Sequence, residues 1–334
     1  MTAQASAGSA DRAEPREALG RWARRNTWTL GLIALLASFI VITKIIQPSY
    51  GAEAFQGLAI GTMPLAMAAV AQAIVVISGG IDLSVGSMMA LTSVTSAALM
   101  KGQSESFGVV VVLGVLWLGI ALGTINGTLV VITKVPDIVV TLAMSFVWAG
   151  AALLVLNTPG GGSSEWLKGL VTGSILSEWI PRALVTMVVI VGVIWIPLRR
   201  STTGLALYAV GSDRLAAFRS GVSVGRTKVF AYALTGLFSA FGGLALTATT
   251  GIGSPVPGAY TLLGIAAIVL GGVSLAGGRG GVAGPVVAVF VLALVRTDLT
   301  LLGVNSNLST VVQGTILIGV VMFGSLLTMR RVRA

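Results

Sequence analysis

Residues 56–100 read QGLAIGTMPLAMAAVAQAIVVISGGIDLSVGSMMALTSVTSAALM, and this stretch decides the fold. Two apolar runs flank Ser78-Gly79-Gly80-Ile81-Asp82, and Asp82 is the one acid between residues 56 and 100. The runs are continuous rather than alternating in period two, so they read as helices and not as barrel strands. Each approaches the roughly 20 apolar residues that a helix needs to cross about 30 Å of hydrocarbon. The pattern extends over the whole chain. Of its 334 residues 55% are hydrophobic and 10% charged, against about 25% charged in an average soluble domain. So few charges cannot clothe a soluble surface, and a soluble enzyme is excluded. The chain has no cysteine, hence no disulfide and no thiolate nucleophile or metal site. It has no histidine, hence neither the usual general base nor the commonest metal ligand. Its 44 glycines sit largely inside apolar runs, where small residues let membrane helices approach closely.

The expected fold is therefore all-α, a polytopic membrane protein of about ten transmembrane helices. The spans read as 28–46, 56–78, 83–100, 107–132, 138–156, 183–198, 229–250, 259–275, 281–302 and 309–328. Ten crossings put both termini on one side. With the termini cytoplasmic, the inner set holds Arg12, Arg16, Arg21, Arg24, Arg25, Lys134, Arg199, Arg200, Arg214, Arg219, Arg226, Lys228, Arg279, Arg330, Arg331 and Arg333. Only Lys44, Lys101, Lys168, Arg182 and Arg296 fall outside, and an inner excess of basic residues is the rule for membrane proteins. The net charge of +10 is thus a topology signal, with the lipid bilayer as partner and no nucleic acid. The organisation is a cytoplasmic N-terminal segment 1–27, a transmembrane domain 28–328 and a basic cytoplasmic tail 329–334. Within the first segment, Pro15 to Trp28 reads either as an amphipathic surface helix or as a plain basic flank behind a polar tail. Ala52-Glu53-Ala54 has the small residues of a cleavage site, but the 27-residue leader and the span-length run argue against a signal peptide.

Two connections are too long for turns. The outer one, 157–182, reads as a surface loop anchored by Trp166 and Trp179, with a partner-docking surface as the alternative. The inner one, 199–228, embeds Leu207, Tyr208, Leu215 and Phe218 among basic residues, which a free loop has no reason to display. Ser212 or Asp213 is placed to cap a short helix through Phe218, with Arg214 and Arg219 on it and Gly211 and Gly221 as breaks. A short helix of this kind suits insertion into a partner's groove.

Asp82, at membrane depth between Gly79-Gly80 and Ser84, reads first as a helix cap and second as a transport acid. Arg296 and Asp298 read as a structural pair or as exposed groups. Residues 271–285, GGVSLAGGRGGVAGP, include Gly271, Gly272, Gly278 and Arg279 at an inner turn. They lack G-x-x-x-x-G-K-[ST] spacing, and no Gly-Lys-Ser/Thr occurs in the chain, so ATP hydrolysis of the P-loop kind is excluded. The glycine doublets at 79–80 and 271–272 each follow an inward span and precede an outward one, a local echo of the internal repeats common in transporters.

Taken together, these stretches resemble the signatures of the ribose-type sugar ABC importer permeases. The run Ser78 to Ser87 is similar to one family signature and Gly264 to Gly280 to another. Between them, Pro136-Asp137-Ile138-Val139-Val140-Thr141-Leu142 resembles the family's PxFIVTL stretch, and Gly204 to Gly211 its cytoplasmic loop entry. The likeness covers about 28–328; it departs at Ser212-Asp213-Arg214 and at Val222. It implies a permease subunit in the bacterial inner membrane that carries a sugar or related polyol. The subunit would pair with a second permease copy, a cytosolic ABC ATPase and an extracytoplasmic sugar-binding protein. No cofactor would be bound by this chain, ATP and Mg belonging to the ATPase. Residues Leu207, Tyr208, Gly211, Asp213, Ala216, Ala217, Phe218, Arg219 and Gly221 would form the coupling loop. Gly79, Gly80, Asp82, Ser84, Gly271, Gly272, Gly278 and Arg279 would be structural or pathway residues. The alternative is an ion-coupled secondary transporter or channel using Asp82. A membrane enzyme lacks an evident acid–base pair.

Overall fold

The computed structural model describes residues 27–256, 258–305, 307–312, 314–315 and 319. The N-terminal segment ahead of Thr27, the tail 329–334 and most of the span 309–328 lie outside the described residues. The long helices are α1 (Thr27–Ile46), α2 (Ala52–Ile77), α3 (Val85–Met100), α4 (Glu105–Thr133) and α5 (Asp137–Val155). After a connection containing α6 (Glu165–Val171), β1 (Ser174–Ile175) and β2 (Ser177–Pro181) comes α7 (Arg182–Arg200). Two short helices, α8 (Thr202–Ser212) and α9 (Arg214–Arg219), lead into α10 (Val224–Thr250), α11 (Tyr260–Leu270) and α12 (Ala283–Leu301). Residues 307–312 are again helical.

Seven of these helices are long and apolar enough to cross a membrane, and α3 and α11 are shorter apolar helices. The chain is a multi-pass membrane protein. The sequence reading of 259–275 overextends a span: α11 stops at Leu270, and its 11 residues rise only about 16 Å. The 157–182 connection is also more ordered than a loop. Glu105 accepts from the N–H groups of Glu165 and Trp166 (3.1 and 3.4 Å) and so caps α6, while β1 and β2 form an antiparallel hairpin.

The centre of the bundle is α2, most of it buried, packed with α10, α11, α12 and α7, while α3 packs on α10 and α5. The faces of α1, α5 and α7 are largely apolar and exposed, as befits a lipid boundary. The α4–α10 crossing is set by Gly119, Gly123 and Gly127, spaced four apart on one face of α4. A Cβ at Gly123 would strike the Tyr232 carbonyl, and one at Gly236 would strike the Gly119 carbonyl. Two backbones in contact gain dispersion that no larger residue permits. The serines and threonines of α3 have an equally specific use. Ser93 Oγ and Ser96 Oγ lie 3.0 and 2.9 Å from Thr247 Oγ1 of α10, a buried hydroxyl cluster in which each member has a partner.

Candidate functional site

The two glycine doublets end α2 and α11 with the same backbone device. Gly79, at φ +75°, donates to Val76 O (2.9 Å) and Gly80 to Val75 O (2.9 Å). Gly272, at φ +81°, donates to Val269 O (3.1 Å) and Val273 to Ile268 O (2.9 Å). Each is a left-handed stop in which the chain turns back onto the last carbonyls of its helix. The doublets are offset by one residue: the left-handed glycine is the first of the pair at 79–80 and the second at 271–272. Gly271 instead packs its backbone on Gly284 and Pro285 at the start of α12.

The α8–α9 pair lies across both turns. Arg214 Nη2 donates to Gly79 O (2.8 Å), Tyr208 Oη donates to Gly280 O (2.8 Å), and the turns themselves meet where Gly278 N donates to Ile77 O (2.9 Å). Gly211 is at the centre. A Cβ there would strike Ile77 O and Gly278 N, and one on Gly277 would come within 2.7 Å of Gly211 O and 3.0 Å of Gly79 Cα. Three segments distant in sequence thus touch backbone to backbone, with no side chain between them to yield.

Within the pair, Asp213 is the cap: its Oδ1 accepts from Leu215 N (2.8 Å) and Ala216 N (3.0 Å). Gly221, at φ +83°, closes α9, with Gly221 N on Phe218 O and Val222 N on Ala217 O. The break expected at Gly211 falls two residues later, at Asp213, because α8 runs through Gly211 from a cap at Ser201, whose Oγ accepts from Gly204 N (3.0 Å). Leu207 and Ala217 face inward, Ala217 at 4% exposed, and Tyr208 is half-buried. Leu205, Leu215 and Phe218 face outward at 70, 57 and 67% exposed, together with Ala216 and Arg219. Arg279 is exposed, and its backbone carbonyl accepts from Ser274 N (3.2 Å).

Behind the first turn lies a buried polar network. Asp82 is fully buried, and its Oδ1 accepts from Ser84 N (2.8 Å) and Ser84 Oγ (2.6 Å), one residue ahead of α3. Asn126 Nδ2 donates to Ser84 Oγ (2.7 Å), and Trp148 Nε1 donates to Asn126 Oδ1 (3.2 Å). Gln72 Nε2 donates to Asp82 O (2.7 Å). Among the described residues, Asp82 Oδ2 and Gln72 Oε1 have no hydrogen-bond partner. Beside them Asp137, at the start of α5, takes two hydrogen bonds from Lys228 Nζ (2.8 and 2.9 Å) and one from Tyr232 Oη (3.0 Å). Asp137, Lys228, Asn126 and Tyr232 escaped the sequence reading as site residues. Only the opposite charges of Asp137 and Lys228 could have signalled one of these contacts.

Arg296 and Asp298 do not pair. Asp298 is buried and accepts from Thr43 Oγ1 (2.6 Å), while Arg296 lines a cavity of about 680 Å³ with Tyr50, Thr62, Tyr260 and Thr297 at the opposite end of the bundle. Two residues along a helix turn about 200°, so the two side chains leave on different faces. Among the described residues no group of three acids gathers to hold a metal.

The family described as "branched-chain amino acid transport system / permease component" matches residues 54–321. The ribose import permease protein RbsC of Escherichia coli (strain K12) is 30% identical over 296 residues, covering 86% of this chain and 90% of the relative. Its namesake in Bacillus subtilis (strain 168) is 36% identical over 252 residues, covering 73% and 76%. The autoinducer 2 import system permease protein LsrD of Escherichia coli O9:H4 (strain HS) is 31% identical over 311 residues, covering 89% and 92%. No solved structure matches the chain.

Proposed function

The chain belongs to the branched-chain amino acid transport system permease-component family, and from that premise we propose that it is the membrane subunit of an ATP-driven importer of a sugar or related polyol. Its relatives bear the names of ribose and autoinducer 2 import permeases. In this reading a second permease copy, a cytosolic ATPase and an extracytoplasmic sugar-binding protein complete the machine. ATP and Mg are held on the ATPase, since this chain has no P-loop sequence. Ten spans, with the termini and the α8–α9 pair on the cytosolic side of an inner membrane, agree with the basic-residue bias.

The observation that carries the reading is the α8–α9 pair itself. It offers Leu215 and Phe218 outward while its inner face rests on the backbones of both glycine turns. A push on the outer face reaches α2, α3, α11 and α12 through contacts that have no rotamer to absorb it. Asp82 then serves as a polar anchor, because ATP supplies the energy.

Reconstitution in liposomes with a cognate cytosolic ATPase and sugar-binding protein tests this. Uptake of labelled ribose, and of a panel of pentoses and hexoses, should require ATP and survive a protonophore. Uptake that collapses with the proton gradient at constant ATP would favour the ion-coupled alternative. Ala216→Asp should abolish substrate-stimulated ATPase activity at normal membrane abundance, because it puts a charge on the free face. Ala217→Asp should instead lower abundance, since an unpaired buried charge costs about 3 kcal/mol or more. Orientation is read with Glu178→Cys in this cysteine-free chain. An impermeant thiol reagent should label it in intact spheroplasts, and labelling only after permeabilisation would invert the topology.

A further inference from the structure

A cavity of about 360 Å³ lies between the α4–α5 connection and the start of α10, lined by Lys134, Asp137, Arg214, Gly225 and Lys228 among others. Its charges do not balance. Asp137 and Lys228 neutralise one another at 2.8 Å, which leaves Lys134 and Arg214 facing the cavity without a carboxylate. Arg214 uses one nitrogen on Gly79 O, and its other donors have no partner among the described residues. Lys134 is exposed and makes no hydrogen bond or ion pair there. It sits at φ +56° as the C-cap of α4, a left-handed position that glycine would fill at lower cost.

The third wall is the start of α10. This 27-residue helix has no side-chain cap from Ser223 and no acid in its first turn. It carries Arg226 and Lys228 instead, basic residues at the positive end of a helix dipole. The unpaired, exposed Lys134 and Arg214 and the uncapped basic start of α10 thus favour the same thing, a bound negative charge. We infer that this cavity is a site for a phosphate-bearing anion, with Lys134 and Arg214 as its charged contacts and the first N–H groups of α10 beside them. Basic pockets between membrane helices take lipid phosphates in this way, and a free phosphate has the same chemistry. Because Arg214 also holds the Gly79 carbonyl, the bound anion shares a residue with the tie between α9 and the first turn. The assignment of the site to the cytosolic side rests on the proposed orientation; the binding does not.

The test uses the purified full chain in nanodiscs and needs no ATPase, so its outcome is separate from that of the transport assay. In one arm the discs contain phosphatidylcholine with phosphatidylglycerol, and retained lipid is counted by native mass spectrometry. In the other they contain phosphatidylcholine alone, and retained ³²P-labelled inorganic phosphate is counted. Preferential retention of phosphatidylglycerol assigns the anion to the lipid, and retention of phosphate assigns it to the cytosol. In whichever arm binds, Lys134→Gly should weaken retention about fivefold, the worth of one basic residue near an anionic surface. Glycine suits the left-handed backbone, so the fold is kept, and Lys134→Arg should restore binding. The inference fails if wild type retains neither probe, if Lys134→Gly retains as much as wild type, or if Arg200→Ala, outside the cavity, loses as much.

Discussion

Turn 78–84 is fastened by a buried side-chain network, whereas turn 271–280 is fastened by backbone and two aromatic side chains, Trp28 and Tyr208. In the first, Asp82, Ser84, Asn126 and Trp148 form a buried chain of hydrogen bonds, and Thr141 Oγ1 accepts from Leu83 N (3.0 Å). In the second, Ser274 N meets Arg279 O and Gly277 N meets Ser274 O, while Trp28 covers Gly272 and donates from Nε1 to Leu270 O (3.0 Å). Both turns open with the same left-handed stop, so the difference begins after it. The first feeds α3, which is buried on nearly every side, and there Ser84 holds one oxygen of the buried Asp82 carboxylate. The second stays partly exposed, where a run of glycines lets the chain fold on itself and lie against α8. A buried turn requires satisfied polar groups; an exposed one requires close backbone approach.

Five substitutions probe this contrast, each read as uptake normalised to membrane abundance and as a thermal unfolding midpoint in detergent. Gly211→Ala touches both turns at once. It should be the most damaging, at about 3 kcal/mol, because a methyl there displaces backbone rather than a side chain. Wild-type uptake from this variant would mean that the three backbones are not in rigid contact. Asp82→Leu comes next, at about 2 kcal/mol, as it strands the Ser84 N–H and hydroxyl in the interior. Asp82→Asn keeps an acceptor and should cost about 1 kcal/mol or less, with most uptake retained. Loss of uptake in Asp82→Asn at normal abundance would show that the charge itself works. On the second turn, Trp28→Phe keeps the ring over Gly272 but loses one hydrogen bond, for about 1 kcal/mol. Tyr208→Phe should be the mildest, about 0.5 kcal/mol in stability, since its bond to Gly280 O is partly exposed. A larger loss from Trp28→Phe than from Asp82→Leu would reverse the contrast between the turns.

Much of the site was legible before any fold was known, but unevenly. The Asp213 cap and the Gly221 stop follow from local chemistry, a short acid before a helix and a glycine after it. The echo of the two doublets was legible too, though not its one-residue offset, because sequence matching aligns glycines and the structure aligns left-handed backbones. Helix α8 was hidden by Gly211. Glycine normally breaks a helix, and here it stays inside one because Ile77 and Gly278 leave no room for any other residue. Ala216 and Ala217 were indistinguishable in sequence, and a six-residue helix has too little periodicity to tell its faces apart.

The sequence by itself determined the solvent the protein lives in, the helical response to that solvent, and individual local stops such as the Asp213 cap and the Gly221 turn. These depend on composition, on runs of about 20 residues and on caps within four residues of each other, all of which are local. Only the tertiary structure decided which glycines are contacts and which are turns, which alanine of α9 is free, and that Asp82 is held by Gln72 and by a Ser84 that Asn126 holds in turn. In a membrane bundle nearly every residue is apolar, so hydropathy no longer separates inside from outside. What fixes the faces is how closely two backbones approach, and that distance belongs to pairs of segments far apart in the chain.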